Sequence, residues 1–244
     1  MSAMTDNDIK SDCLKVEDGK ELLLTLIHDG DGYHGDSMPG KISVGKNARL
    51  EIIVLLLSAI PESGDEKNHK DTEGDFKLKC EISLAGEGAN CDICGAVICK
   101  GNDRSDIELD IRHLVPECKS SQSFRTIASG NSRCSFHGKI TVSPGAQKTE
   151  AYQESHSILL SENAKVETLP QLEIYADDVK CSHGATVGKL DENQIFYMRS
   201  RGISEKTARE IMLKAFVSPI VSMIKENTEQ ERVISYIDKL LITF

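Results

Sequence analysis

Cys181 and His183 stand two residues apart in the stretch Leu172–Ile203, LEIYADDVKCSHGATVGKLDENQIFYMRSRGI. On an extended segment the side chains of residues i and i+2 leave from one face, so this thiol and this imidazole could reach one metal ion or one sulfur atom. Thiolate is a soft ligand and imidazole a borderline one, a pairing that suits iron or a persulfide sulfur. Lys180 would favour the thiolate if its ammonium group came near. The plainer reading is a thiol and a ring that line a packed corner.

Three further thiols, Cys91, Cys94 and Cys99 in CDICGAVIC, form C-x2-C-x4-C. This reverses the plant-type ferredoxin spacing, and a fourth ligand would have to come from Cys80, Cys118 or Cys134. They are the basis of an alternative reading, an independent cysteine-ligated metal or redox protein. On a strand, however, Cys91 and Cys94 would project from opposite faces, which favours buried thiols. Cys134 and His137 in RCSFHG make a second local pair, and a turn explains His137 equally well. His28 and His34 sit with Asp29, Asp31 and Asp36 in a segment dense in turn formers; their spacing fits no calcium or zinc template, so a solvated turn is expected. The chain contains neither G-x4-G-K-[ST] nor G-x-S-x-G, and no complete catalytic set.

The elements that must position these groups are short strands. Strand patterns run over Glu21–Ile27, Lys41–Val44, Arg49–Leu57, Phe76–Leu84, Ile107–Ile111, Phe124–Ala128, Lys139–Ser143, Ser157–Leu160, Leu172–Tyr175 and Val179–Cys181, with no helical pattern between Leu50 and Leu190. Pro61–Asp75 reads as an exposed polar loop. A weak echo recurs at turns: Asn47-Ala48-Arg49, Gly88-Ala89-Asn90, Gly145-Ala146-Gln147, Asn163-Ala164-Lys165 and Asp178-Val179-Lys180. Small residues at the corners of a coil suit a β-helix or solenoid better than a sandwich, which would show more two-residue hairpins.

From Asp191 the pattern becomes helical. Asp191 caps a helix that ends at Gly202, and Ser204 caps a second with Ala208, Ile211, Met212, Ala215 and Phe216 on one face. Pro219 is expected to restart the chain, and Thr228 with Glu231 to form a capping box for a third helix whose apolar face is Val233, Ile237, Leu240 and Leu241. Three regions follow: a polar N-terminal arm (1–20), a β body (21–190) and a C-terminal helical domain (191–244).

The net charge of −10 and the absence of a Lys/Arg cluster argue against a nucleic-acid binder. The longest apolar run, Ile52–Leu57, is too short to span a membrane. The first twenty residues carry no apolar core of a secretory signal, so eight cysteines point to a reducing cytoplasm, where they are free thiols or metal ligands more often than disulfides. A secreted β-solenoid enzyme acting on acidic polysaccharides fits neither the acidic charge nor the missing signal.

The segment Gly145–Phe216 resembles the SufB/SufD family of iron-sulfur cluster assembly scaffolds. The likeness is sharpest in ADDVKCSHGAT, the following LDE and FYMRSRGI, and in KAF at Lys214–Phe216. It implies a right-handed parallel β-helix followed by a C-terminal helical domain. It further implies a scaffold rather than an enzyme, which builds a transient iron-sulfur cluster together with a SufC-like ABC ATPase and either a SufB-like paralogue or a second copy of itself, and which binds no nucleotide. Cys181 and His183 match the SufD-like motif and become the candidate cluster ligands. Asp191, Phe196, Met198, Arg199, Arg201, Ile211 and Phe216 become candidates for contact with the ATPase. SufB-type members carry Glu at the position of Gly184, so this chain is expected to contribute part of a site. It also lacks the N-terminal helical region usual in the family and reads as a short form.

Overall fold

The computed structural model describes residues 13–30, 32–60 and 74–244. Thirteen strands precede three helices. β1 (Cys13–Val16), β4 (Lys41–Val44), β6 (Asp75–Leu84), β8 (Arg104–His113), β10 (Arg133–Val142) and β12 (Lys165–Ile174) form a six-stranded sheet in that order. The facing sheet has seven strands in the order β13 (Val179–Gly188), β11 (Thr149–Leu159), β9 (Lys119–Ala128), β7 (Asn90–Cys99), β5 (Arg49–Leu57), β2 (Glu21–Asp29) and β3 (Gly32–Gly35). Every pairing is parallel except the β2–β3 hairpin. Successive strands alternate between the sheets, so the chain winds a parallel β-solenoid of about 5 turns.

The winding follows from period-2 burial. In β8 and β10 every second residue is buried, so one face of each strand lies inside the coil. In-register partners in neighbouring coils lie about 30 residues apart, and inward positions stack into columns such as Ile82, Ile111, Ile140 and Leu172. The small residues of the sequence echo fill the corners: Ala48, Ala89, Ala146 and Ala164 are all buried. Asn47 and Gly88 precede two of them with positive φ of 51° and 74°, the left-handed conformation that turns the chain into the next strand. Ala48 and Ala89 mark the same corner of neighbouring coils, since Arg49 and Asn90 are in register, whereas Ala146 and Ala164 precede successive strands and mark successive corners.

β5 is buried on both faces, which explains its unbroken apolar run. Ile52, Val54 and Leu56 face the interior of the coil, whereas Ile53, Leu55 and Leu57 face a second core shared with the helices. That second core contains Ile195 of α1 (Glu192–Ser200), Leu213, Val217, Ile220 and Val221 of α2 (Glu205–Val221), and Val233, Ile237, Leu240 and Leu241 of α3 (Asn227–Leu241). The helices are thus held against the outside of the seven-stranded sheet. Among the described residues, no helix is long and apolar enough to cross a membrane.

Several local expectations need correction. The solenoid begins inside the stretch read as a polar arm, since Leu14 and Val16 of β1 are buried. Of the loop expected over 61–75, residues 61–73 lie outside the described residues. CDICGAVIC belongs to β7, which was not among the expected strands. Pro219 lies within α2, where the carbonyl of Ala215 left by its missing N–H accepts the Ser218 hydroxyl at 3.0 Å. The buried face of α2 is Ala208, Leu213, Val217, Ile220 and Val221; Ile211 and Ala215 are exposed. The Thr228–Glu231 capping box does not form, because α3 starts at Asn227 and its N-cap is Glu226, two residues before Thr228; the Glu226 side chain makes no cap bond. Asp191 and Ser204 do cap α1 and α2, accepting the backbone N–H groups of Asn193 and Thr207.

His113 is wholly buried in the coil, with Nε2 2.8 Å from the Ser120 hydroxyl. Burial pushes its imidazole down to about 4. An unfolded histidine titrates near 6.5, so acid favours the unfolded chain across the interval between the two values. Stability is therefore present in full above about pH 6.5 and falls by about 3 kcal/mol as pH drops toward 4. His113→Gln removes the titrating ring and should flatten this slope, measured as the urea midpoint between pH 7 and 4.

Candidate functional site

β13 and β12 are the last strands of their sheets, so the final coil has no successor and its inner face is open at one end. Cys181 and His183 occupy alternate positions on β13. Cys181 is half-buried and packs against the interior core, whereas His183 is exposed at the mouth. In register on β11 beneath them lie Ala151 and Gln153, both buried. By strand alternation both side chains leave from the face that lines the open end of the solenoid.

Burial pushes the Cys181 thiol above its usual range, and a hydrogen bond from the backbone of Ala151 opposes this. Lys180 does not promote the thiolate as expected. It alternates to the outer face, where its ammonium lies 3.7 Å from Glu150. Gly184 also alternates away from the Cys181–His183 face, and a side chain added there would meet nothing within 4 Å. A SufB-type Glu at this position would therefore leave from the opposite face of the strand.

The other thiols do not converge. Cys91 and Cys99 face the interior core, and Cys94 faces the helices on the far side of the sheet. Cys91 and Cys99 are also separated by eight residues of strand, about 26 Å. The C-x2-C-x4-C reading as one metal site fails on this geometry, and among the described residues no group of three or more His, Cys, Asp and Glu side chains could hold a metal ion. Burial raises the thiol of Cys94 to about 11 and that of Cys80 to about 12, and it raises that of Cys91 further. Cys99 lies beside Cys134, whose proximity together with burial holds the Cys99 thiol up. Cys134 and His137 lie three apart on β10 and project from opposite faces. His34 Nε2 lies 3.1 Å from Asp29 Oδ1, and Arg232 of α3 pairs with the same Asp29 at 2.7 Å, a brace between the first coils and the last helix. Asp31 lies outside the described residues.

The residues proposed for partner contact divide into two groups. Phe196 is 72% exposed on α1 beside Tyr197, itself 61% exposed, with the Arg201 guanidinium over the Tyr197 ring. Arg199 pairs with Glu205 at 3.3 Å, and Ile211 is exposed. Met198 and Phe216 instead pack against the second core, with Arg125 over the Phe216 ring. Asp191 serves its helix cap. Tyr197 was not singled out from the sequence, although its place between Phe196 and Met198 gave the signal.

Sequence reasoning also missed the polar lining of the last coils. Gln122, Gln153, Ser155 and Ser157 are 1%, 1%, 2% and 4% exposed and face inward where earlier coils carry Ile52, Ile93 and Val97. Their period-2 spacing in YQESHS marks one face of a strand, but the pattern reads as a solvated face.

The chain is a parallel β-solenoid with helices packed on one of its sheets, and comparison with known proteins shows which family has this fold. Residues 73–216 match the family model of the SUF system FeS cluster assembly SufBD core domain, and this chain belongs to that family. It is similar to the iron-sulfur cluster assembly protein SufD of Escherichia coli (strain K12), with 38% identity over 225 residues, covering 86% of this chain and 53% of the relative. A SufBD family protein of Synechocystis is 34% identical over 195 residues, covering 80% of this chain and 40% of its own length. The chloroplastic protein ABCI7 of Arabidopsis thaliana is 27% identical over 245 residues, covering 93% and 51%. The chain thus spans about half the length of these relatives.

Proposed function

We propose that this chain is a non-catalytic scaffold subunit of a SUF-type assembly complex, in which Cys181 and His183 ligate a nascent iron-sulfur cluster at the open end of the solenoid. The observation that carries this reading is their common face on a terminal strand. The cluster is cargo, delivered onward rather than kept. The thiol of Cys181, held protonated by burial, gives up its proton when it binds iron, because a coordinating thiol is deprotonated by the metal's charge. Two protein ligands do not complete a cluster's coordination, so the remainder comes from a second scaffold, a SufB-like paralogue or another copy of this chain. The free edges of β12 and β13 support such a junction, since each presents backbone N–H and C=O groups that a partner strand could pair.

The helical domain takes the ABC-type ATPase through the exposed face of α1, around Phe196, Arg199 and Arg201. Affinity purification of the tagged chain from its own cells should recover an ABC ATPase and a scaffold partner; recovery of the chain alone would contradict the reading. Phe196→Asp should abolish co-elution with the ATPase in size-exclusion chromatography while circular dichroism stays native, because Phe196 contributes almost nothing to the core. Met198→Asp serves as the contrast: it puts a charge against the second core and should unfold the helices.

A further inference from the structure

The interior of the solenoid changes character along its axis. One column of in-register side chains on the seven-stranded sheet runs Ile52, Ile93, Gln122, Gln153 and His183. With Leu24 of β2 in register before Ile52, it is apolar for three coils and polar for three. Gln153 donates from Nε2 to Gln122 Oε1 at 3.0 Å, and both amides are sealed from solvent. The opposite sheet is hollowed to admit them: a Cβ on Gly138 would lie 1.8 Å from Gln153 Nε2. After this bond the Oε1 of Gln153 is buried with no partner. A buried carbonyl left unpaired costs about 1–3 kcal/mol, so its retention calls for a purpose.

The next side chain of the column is His183, one strand spacing of about 4.8 Å away on the same face. Neutral imidazole carries one N–H and one lone pair, and the partner of the N–H decides which nitrogen is free to bind a metal. We infer that Gln153 is a positioning residue for His183: a turn of the exposed His183 ring brings its N–H onto the unpartnered Oε1, which fixes one tautomer and turns the unprotonated nitrogen toward the mouth of the solenoid. In the structure the Gln153 nitrogen is taken by Gln122 Oε1, which leaves the Gln153 oxygen as the free end. The inference rests on the reading of His183 as a ligand for its purpose, but the hydrogen bond can be tested without any cluster.

The experiment is ring-nitrogen NMR on the full chain with 15N-labelled histidine, the His183 signal being assigned by its absence in His183→Ala. The wild-type ring should show a single tautomer, with a contact between its N–H and the Gln153 amide. Gln153→Met should relax it to the exchanging two-tautomer mixture of free imidazole and lower iron retention in the assembled complex by about tenfold. Gln153→Glu keeps an acceptor and should restore the single tautomer. A wild-type ring already exchanging between tautomers overturns the inference, as does an unchanged ring in folded Gln153→Met. Should Gln153→Met fail to fold, the wild-type tautomer and contact decide the matter. Normal cluster loading in His183→Ala would refute the ligand reading, whereas tautomer exchange in the wild type refutes the positioning role alone.

Discussion

A Cys181→Ser, His183→Ala double variant should fold normally and fail to accumulate a cluster. Cys181 is only half-buried and Ser is nearly its equal in volume, while His183 is exposed on a terminal strand, so the packing lost is small. Melting should shift by no more than a few degrees. Under the proposed ligand reading, the double substitution removes the bonds that would hold iron to this subunit. Anaerobic reconstitution with the ATPase and the second scaffold should then yield iron and acid-labile sulfide at least about tenfold below wild type. Cys91→Ser is the matched control. Its thiol is fully buried in the interior and lies three coils from the open end, so visible absorption should survive its loss. Wild-type iron and sulfide in the double variant, or loss of colour in Cys91→Ser alone, would move the site away from the mouth of the solenoid.

Leu55→Ala should be the most destabilising truncation on the helical side. Leu55 is fully buried between the outer face of the seven-stranded sheet and the helices, in the middle of a strand flanked by β2 and β7. Neither a parallel sheet held on both sides nor helices seated on it can move in to fill the space. A cost of about 3–5 kcal/mol is expected, toward the upper end for Leu→Ala, because the cavity persists. With a slope of roughly 2 kcal/mol per molar urea, the midpoint should fall by about 2 M. Leu169→Ala, on the exposed outer face of β12, should change it by less than about 0.5 kcal/mol. Equal effects from the two substitutions would mean that the helices are not anchored through this face.

Much of the fold was legible because a solenoid repeats a local rule. Alternation in Ile107–Leu109–Ile111 marks a strand with one inner face, and Ala at Ala48, Ala89 and Ala146 marks corners too tight for larger side chains. The caps Asp191 and Ser204 were legible because capping is decided within four residues. What escaped depends on distant neighbours. CDICGAVIC has no alternation because the second half of β7 is covered on both faces, and the helices that cover the outer one lie more than a hundred residues away. Pro219 reads as a helix stop until the Ser218 hydroxyl is seen to take the bond that its missing N–H leaves open.

The site divides in the same way. The common face of Cys181 and His183 was legible from their spacing, since period 2 puts them on one face in any strand. Whether that face was inner or outer was not legible, and neither was Gln153 beneath His183, because register across 30 residues is set by the winding of the coil. The C-x2-C-x4-C thiols misled for the complementary reason: closeness in sequence along a strand spreads side chains over two faces and about 26 Å.

Pulsed electron paramagnetic resonance of the reduced cluster, with 15N-histidine introduced only into this chain of the assembled complex, tests the central claim most directly. The account predicts hyperfine coupling from one ligating histidine nitrogen, present in the wild type and in His156→Ala and absent in His183→Ala. A cluster without 15N coupling in the wild type, or with coupling that survives in His183→Ala, would contradict it.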